Sequence, residues 1–177
     1  FFSDSTSPEM NALQEQLKKA YPETVSMALE TGENPKLLTK EAIRVRFHSV
    51  GGYGTIASGK LLTDILAAVL GLHSKSAPKY GSEKSGAPTN FYLTLSPEPI
   101  KITNAQLEEV EIVISPDHKV FEHTNPLNGL VEGGTFIMQS GQNPREVWQE
   151  LPEHARETLM ERNIHFLIVD AFGVARR

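Results

Sequence analysis

The chain has 177 residues, 39% of them hydrophobic and 22% charged, with a formal net charge of -5. That is enough chain for one ordinary domain with its own core, and the acidic balance offers no general attraction to nucleic acid or to an anionic membrane surface. No apolar run approaches the ~20 residues of a membrane-crossing helix, and the sequence has no cysteine, which removes disulfides, thiolate nucleophiles and cysteine-held zinc or iron–sulfur sites from this chain. Phe1-Phe2-Ser3 is neither a Met start nor a signal-like opening, so the expectation is an internal piece of something longer, in a cytoplasmic setting.

Residues 1–40 read as a partly helical linker or extension. Thr6 or Ser7 caps a helix with Pro8 in its first turn, and Leu13, Leu17 and Ala20 follow at helical spacing until Pro22 interrupts. A weaker helical stretch, Glu23 to Thr31, ends at Gly32, and Glu33-Asn34-Pro35 is turn chemistry.

The main domain is expected over residues 41–177, and its first unit is the most informative. Val45, Phe47 and Val50 make a short strand, Gly51, Gly52 and Gly54 break it, and a helix starts at Thr55 with Leu61, Ile65, Val69 and Leu72 expected in the core. Such a junction aims unpaired backbone N–H groups and the positive end of the helix dipole at one spot, which suits phosphate or carboxylate.

The pattern then predicts a strand over Leu72 to Ala77, then Pro78 and a polar loop from Lys79 to Pro88, a strand over Asn90 to Leu95 with Phe91, Leu93 and Leu95 on one face, and a short partner strand at Ile100 to Ile102. A brief helix at Asn104 to Glu109 and a buried strand at Glu111 to Ser115 follow, then a helical turn at Lys119 to His123. A strand from Thr135 to Gln139 after Gly133-Gly134, a helical region from Asn143-Pro144 to Arg162 broken near Pro152, and a strand from His165 to Val169 complete the series, with Asp170 placed to cap the residues after it. Strands alternating with helices give an α/β fold: a mostly parallel, doubly wound, Rossmann-like sheet with helices on both faces. Ligands in such sheets sit at the carboxyl ends of the strands, where Gly51 to Thr55 lies.

Several phosphate-binding readings compete for this loop. Gly52 to Ala57 satisfies G-x-G-x-x-A, yet Leu72 to Pro78 offers no carboxylate for the ribose of NAD. Gly54 to Lys60 matches G-x-x-x-x-G-K, yet Leu61 stands where a P-loop needs Ser or Thr for magnesium. Lys60, Lys79 and Lys84 can bring cations to the same helix N-terminus, and Tyr80 offers a ring face for stacking, so a phosphate-rich ligand with an adenine suits both loops. The plain alternatives are glycines that only let strand and helix pack closely, and lysines on a solvated rim. His48 either hydrogen-bonds an anionic ligand or satisfies a strand end. His118 and His123 read as surface or loop histidines rather than metal ligands, and Ser49 and Ser140 sit in no nucleophile elbow.

Five motifs in order, RFHSVGGYGTIASGKLL, APKYGSEKSGAPTNFYL, EIVISPD, VEGGTFIMQS and HFLIVDAFGVARR, resemble the gamma subunit or gamma-type domain of 2-oxoacid:acceptor oxidoreductases, the pyruvate:ferredoxin oxidoreductase group, over Ala42 to Arg177. The resemblance implies an enzyme that oxidatively decarboxylates a 2-oxo acid with coenzyme A, forms an acyl-CoA and passes electrons to ferredoxin or a related acceptor. It implies thiamine diphosphate and [4Fe-4S] clusters in other domains or subunits, and coenzyme A binding in the gamma-type domain. Lys60 matches the family's lysine after the glycine loop, and Tyr80, Ser82, Lys84, Ser85 and Gly86 match its basic loop. With Gly51, Gly52, Tyr53, Gly54 and Thr55 these form the expected cofactor site, with no catalytic residue and no metal ligand in this chain. The other readings are a purely structural assembly domain and a stand-alone nucleotide-binding domain.

Overall fold

The computed structural model describes residues 8–23, 38–80, 88–101 and 107–176. The chain divides into two compact units, Phe1–Lys36 and Leu37–Arg177. The first holds helix α1 (Pro8–Ala20), whose Leu13 and Leu17 are exposed, as is Tyr21 just beyond it. The expected caps Thr6 and Ser7, the rest of the Glu23 to Thr31 stretch and the turn after it lie outside the described residues.

The second unit is built on strands β1 (Ile43–Ser49), β2 (His73–Lys79), β3 (Thr89–Ser96), β4 (Val110–Ser115), β5 (Leu130–Gln139) and β6 (His165–Val169). They form one sheet in the order β2-β3-β1-β4-β5-β6. β1, β4, β5 and β6 are parallel neighbours, while β3 runs antiparallel to both β1 and β2. Helix α2 (Thr55–Leu70) carries the chain from β1 to β2, α3 (Val120–His123) lies between β4 and β5, α4 (Pro144–Glu150) and α5 (Glu153–Glu161) between β5 and β6, and α6 (Ala171–Ala175) follows β6. Parallel pairs need such crossovers; an antiparallel pair such as β2–β3 does not.

Alternation along each strand sends its side chains to two cores. On one face Val45, Phe47, Phe91, Leu93 and Leu95 pack with Ile56, Leu62 and Leu66 of α2, and the Phe47 and Phe91 rings meet edge to face with centroids 6.3 Å apart. On the other, Val113, Phe136 and Met138 pack under α3, α4 and α5 through Val120, Val147, Leu151 and Leu159. Each fully buried side chain of this kind contributes about 1.5–3 kcal/mol. Asn143 starts α4 through a reciprocal capping box with Glu146, and the Asp170 carboxylate accepts a 2.8 Å bond from Gly173 N at the start of α6.

Several expectations need correction. Leu61, Ile65 and Val69 are not core but 61%, 46% and 73% exposed. The inward face of α2 is instead the row through Ile56, Gly59, Leu62 and Leu66, one residue and therefore about 100° away. Gly59 sets that rotation, because a Cβ there would overlap the Phe91 ring. Ile100 and Lys101 form no strand, since β3 is already paired on both edges by β1 and β2; Ile102 lies outside the described residues. Leu107 to Glu109 are not helical, and the rest of that expected helix also lies outside them. β2 continues through Pro78 to Lys79, which an edge strand tolerates because a proline there need not donate to a second neighbour. β5 starts at Leu130 rather than Thr135 and takes Gly133-Gly134 into a register shift, where Val110 pairs with Leu130 but Ile112 with Thr135.

The side chains of β1 that face away from α2 are Arg44, Arg46 and His48. Arg44 makes a two-pronged ion pair to Glu111 on β4, with Nη2 at 2.5 Å and Nε at 2.9 Å from Oε1, and that bond raises its pKa. Arg46 is buried and donates from Nη2 to the Pro126 and Asn128 carbonyls at 2.8 and 2.6 Å; burial lowers its pKa. His48 is buried with Nδ1 2.7 Å from Asn90 Oδ1 on β3 and Nε2 2.8 Å from the Thr124 hydroxyl. Burial, opposed by the Asn90 bond and reinforced by the Arg46 charge, pushes its pKa down to about 4.

Two outcomes follow from this packing. Gly59→Ala would gain helix propensity in open solvent, about 1 kcal/mol; here the clash with Phe91 reverses the sign, and a loss of about 1–3 kcal/mol is expected from the denaturant midpoint, with partial recovery in Gly59→Ala/Phe91→Leu. Neutral His48 contributes stability that is complete above the unfolded pKa near 6.5 and is lost as pH falls toward about 4, on the order of 3 kcal/mol. Unfolding midpoints of the wild type should therefore fall more steeply between pH 7 and 4.5 than those of His48→Gln; parallel curves would refute the assignment.

Candidate functional site

From β1 the chain turns out to α2 on one face of the sheet, and from β4 it turns to α3 on the other. These two strands are parallel neighbours, with Phe47 level with Ile114, so their carboxyl ends flank the point where the winding reverses. The glycine turn leaves β1 at this place.

Ser49 and Thr55, both buried, hold the two ends of the turn together by a hydrogen bond between their hydroxyls. The Ser49 hydroxyl also lies 2.7 Å from the Val50 carbonyl. Between them Gly51 to Gly54 are exposed. Gly52 at φ 97° and Gly54 at φ 74° adopt left-handed backbone that favours glycine. Gly54 caps α2 without a side-chain bond, no acidic residue lies in the first turn, and the helical ladder begins with Ser58 N donating to Gly54 O at 2.9 Å. The Thr55, Ile56 and Ala57 N–H groups precede that bond at the positive end of a 16-residue helix. Tyr53 is 39% exposed beside them. Lys60 is exposed about 7.5 Å along the axis from Thr55, and a helical lysine leans back toward the N-terminus.

Tyr80, 69% exposed, stands just past the carboxyl end of β2. β2 and β1 point the same way with β3 between them, which places Tyr80 and the glycine turn on one edge of the sheet, roughly 10 Å apart in strand spacing. Ser82, Lys84, Ser85 and Gly86 lie outside the described residues. His48 is no ligand here: it sits below the edge with both ring nitrogens engaged. His118 and His123 are exposed, and among the described residues no group of three or more His, Asp or Glu side chains could hold a metal ion.

Two features escaped the sequence reading. Asp117, after β4, is fully buried; Oδ1 accepts from Lys119 N at 2.9 Å and Oδ2 has no partner. A cavity of about 850 Å³ opens beyond it at the ends of β5 and β6, lined by Phe121, Met138, Val147, Leu151, Phe172 and Ser140 among others. These residues come from separate segments, so no local motif announces the cavity.

Comparison with known proteins gives this geometry its context. The family model for "Pyruvate ferredoxin/flavodoxin oxidoreductase" matches residues 44–177. The pyruvate-flavodoxin oxidoreductase of Rhodospirillum rubrum is 23% identical over 97% of this chain, which spans 15% of that protein's length. The pyruvate/ketoisovalerate oxidoreductases common subunit gamma of Thermococcus litoralis is 29% identical over 62% of this chain and 58% of its own. Among solved structures, pyruvate oxidoreductase subunit PORC of Thermotoga maritima shares the fold with a TM-score of 0.54 at 20% identity, covering 77% of this chain and 66% of that one. The 2-oxoglutarate:ferredoxin oxidoreductase of Magnetococcus marinus, solved with 2-oxoglutarate, coenzyme A and succinyl-CoA, gives 0.52 at 17% identity, over 78% of this chain and 21% of its own. A sheet wound about β1 and β4, a glycine turn at the reversal and a family match that runs from Arg44 to the last residue lead to one assignment: the chain belongs to the pyruvate ferredoxin/flavodoxin oxidoreductase family.

Proposed function

We propose that residues 41–177 are the gamma-type part of a cytoplasmic 2-oxoacid:acceptor oxidoreductase and supply the phosphate-binding half of its coenzyme A site, with residues 1–40 as an extension. The whole enzyme oxidatively decarboxylates a 2-oxo acid to an acyl-CoA and passes the electrons to ferredoxin or a similar acceptor. Thiamine diphosphate and [4Fe-4S] clusters belong to its other domains or subunits, and this chain alone is catalytically incomplete.

The carrying observation is the glycine turn at the sheet's reversal point, where a helix N-terminus lacks both a side-chain cap and an acidic first turn. Bare N–H groups and the helix dipole there favour a phosphate. Gly51, Gly52, Tyr53, Gly54 and Thr55 form the cradle, Lys60 adds a cation, and the Tyr80 to Gly86 loop supplies the adenine side. The relatives support the ligand: the Magnetococcus marinus enzyme was solved with coenzyme A. NAD is disfavoured because β2 ends at Lys79, followed by Tyr80, where a ribose carboxylate belongs, and a P-loop because Leu61 points to solvent at the magnesium-ligand position. An assembly role is the second reading, favoured by the exposed Leu61, Ile65 and Val69 row.

In the complete oxidoreductase, Lys60→Glu should raise the KM for coenzyme A roughly 10- to 100-fold, the value of one charge-assisted phosphate contact, with a smaller change in kcat. An unchanged KM removes Lys60 from the site. Calorimetry of coenzyme A binding to the complex with Gly54→Ala, which strains the left-handed backbone, separates the two readings: the ligand reading requires weakened binding, and a purely structural turn leaves it intact.

A further inference from the structure

The two edges of the sheet are built to opposite rules. β2, at one end, carries Lys75, Pro78 and Lys79, the charges and the missing N–H with which an edge strand refuses further pairing. β6, at the other, reads His-Phe-Leu-Ile-Val, with no proline, lysine, arginine or carboxylate in it. Its five residues are an ordinary strand length, so the edge is not blunted by shortness either. Among the described residues no strand lies on its outer side.

The inner ladder shows what that outer side offers. Ser140 N donates to Val169 O at 3.2 Å, so Val169 presents its backbone to β5, and by alternation Leu167 and His165 do the same. The N–H and C=O groups of Phe166 and Ile168 therefore face outward. Their side chains pack against the core under α3, α4 and α5, which holds the strand in place. The Leu167 and Val169 side chains lie on the other face, where α2 packs over β1 and β3 instead, and they are 49% and 44% exposed.

Such an edge accepts one more strand, and the sequence of β6 selects which. Set antiparallel with Leu167 opposite the same residue of a second copy, Phe166 and Ile168 come face to face and exchange both N–H···O bonds. His165 then stands opposite Val169, and no charge meets its like. His165 opens the strand and Asp170 follows it, so the antiparallel arrangement brings unlike ends together, whereas a parallel one stacks like on like. Pairing with β2 of another copy meets Pro78 and the lysines, and being head to tail it does not close.

We infer that β6 is a docking edge for a second copy of this chain, the two strands joining antiparallel about Leu167 into one continuous sheet with a two-fold axis. None of these residues belongs to the glycine turn, so the inference stands apart from the coenzyme A reading.

The register can be tested by cross-linking in the complete oxidoreductase. The chain has no cysteine of its own, and the wild-type enzyme reports the background from other domains. His165, Leu167 and Val169 are exposed and tolerate substitution. Across the axis the two Leu167 Cα atoms lie about 4.5 Å apart, within disulfide reach, while the two copies of His165 are separated by four residues, roughly 13 Å, and are not. Under mild oxidation, Leu167→Cys should therefore join two copies of this chain with a yield roughly tenfold or more above His165→Cys. His165→Cys/Val169→Cys should restore the cross-link. Adding Leu167→Lys to that pair sets like charges directly opposite and should cut its yield about fivefold. The inference is overturned if Leu167→Cys does not cross-link, if His165→Cys does so equally well, or if Leu167→Lys changes nothing. Cross-linking of Leu167→Cys to a different polypeptide of the enzyme also overturns it and gives the edge to that partner.

Discussion

The fold depends on a single strand with two chemically opposed faces. Val45 and Phe47 of β1 look into an apolar layer under α2, while Arg44, Arg46 and His48 alternate with them and look the other way. A slip of one residue would bury three basic groups beneath α2 and set Val45 and Phe47 against the polar partners of the other face, so the register is set by a penalty on every alternative. The polar side is also tied down in three directions: Arg44 to β4, Arg46 to the loop before β5, and His48 to β3 and the end of α3. Arg46 is the most demanding of these. Its guanidinium is taken out of water without a carboxylate among its bonded partners and with Nε unpaired, leaving backbone carbonyls to replace much of the lost hydration.

That arrangement explains why the candidate site is made largely of backbone. His48, at the end of β1 before the glycine turn, is consumed in holding strands together, and the Ser49 and Thr55 hydroxyls face each other. What remains at the surface is a glycine turn with its N–H groups exposed. Such a site has little to reorganise when an anion arrives, because the strand end and the helix start are already joined beneath it. The cost lies in left-handed backbone at Gly52 and Gly54, which glycine takes without a Cβ penalty.

Much of the sheet was legible because each strand obeys a local rule. Alternation marked β3, a continuous apolar run marked β4, and the caps at Asn143 and Asp170 marked helix starts through bonds to residues two or three positions away. The inward face of α2 was not legible. The helix carries two apolar rows, through Leu62 and Leu66 and through Leu61 and Ile65, and periodicity alone cannot rank them. The choice is made by a contact 32 positions distant, Gly59 against Phe91. Distance in sequence also hid the role of His48, whose partners lie 42 and 76 residues away, and the cavity, assembled from the end of β5 and the segments that follow β4, β5 and β6. The glycine turn was readable because it is contiguous; the surface beside it was not, because only the closed sheet brings it together.

The outer row of α2 carries a thermodynamic consequence. Leu61, Ile65 and Val69 remain 46–73% exposed on a helix whose inward row, about 100° away, is already packed. Hydration of that row is a free-energy cost which association would recover, so the folding equilibrium of the unit and its equilibrium with any neighbour covering α2 are linked. Each covered apolar side chain adds to the affinity, and occupancy of the row raises the apparent melting temperature by mass action. With a neighbour on α2, the stability of this domain would be partly a property of its surroundings, set by how much of α2 is occupied at a given concentration.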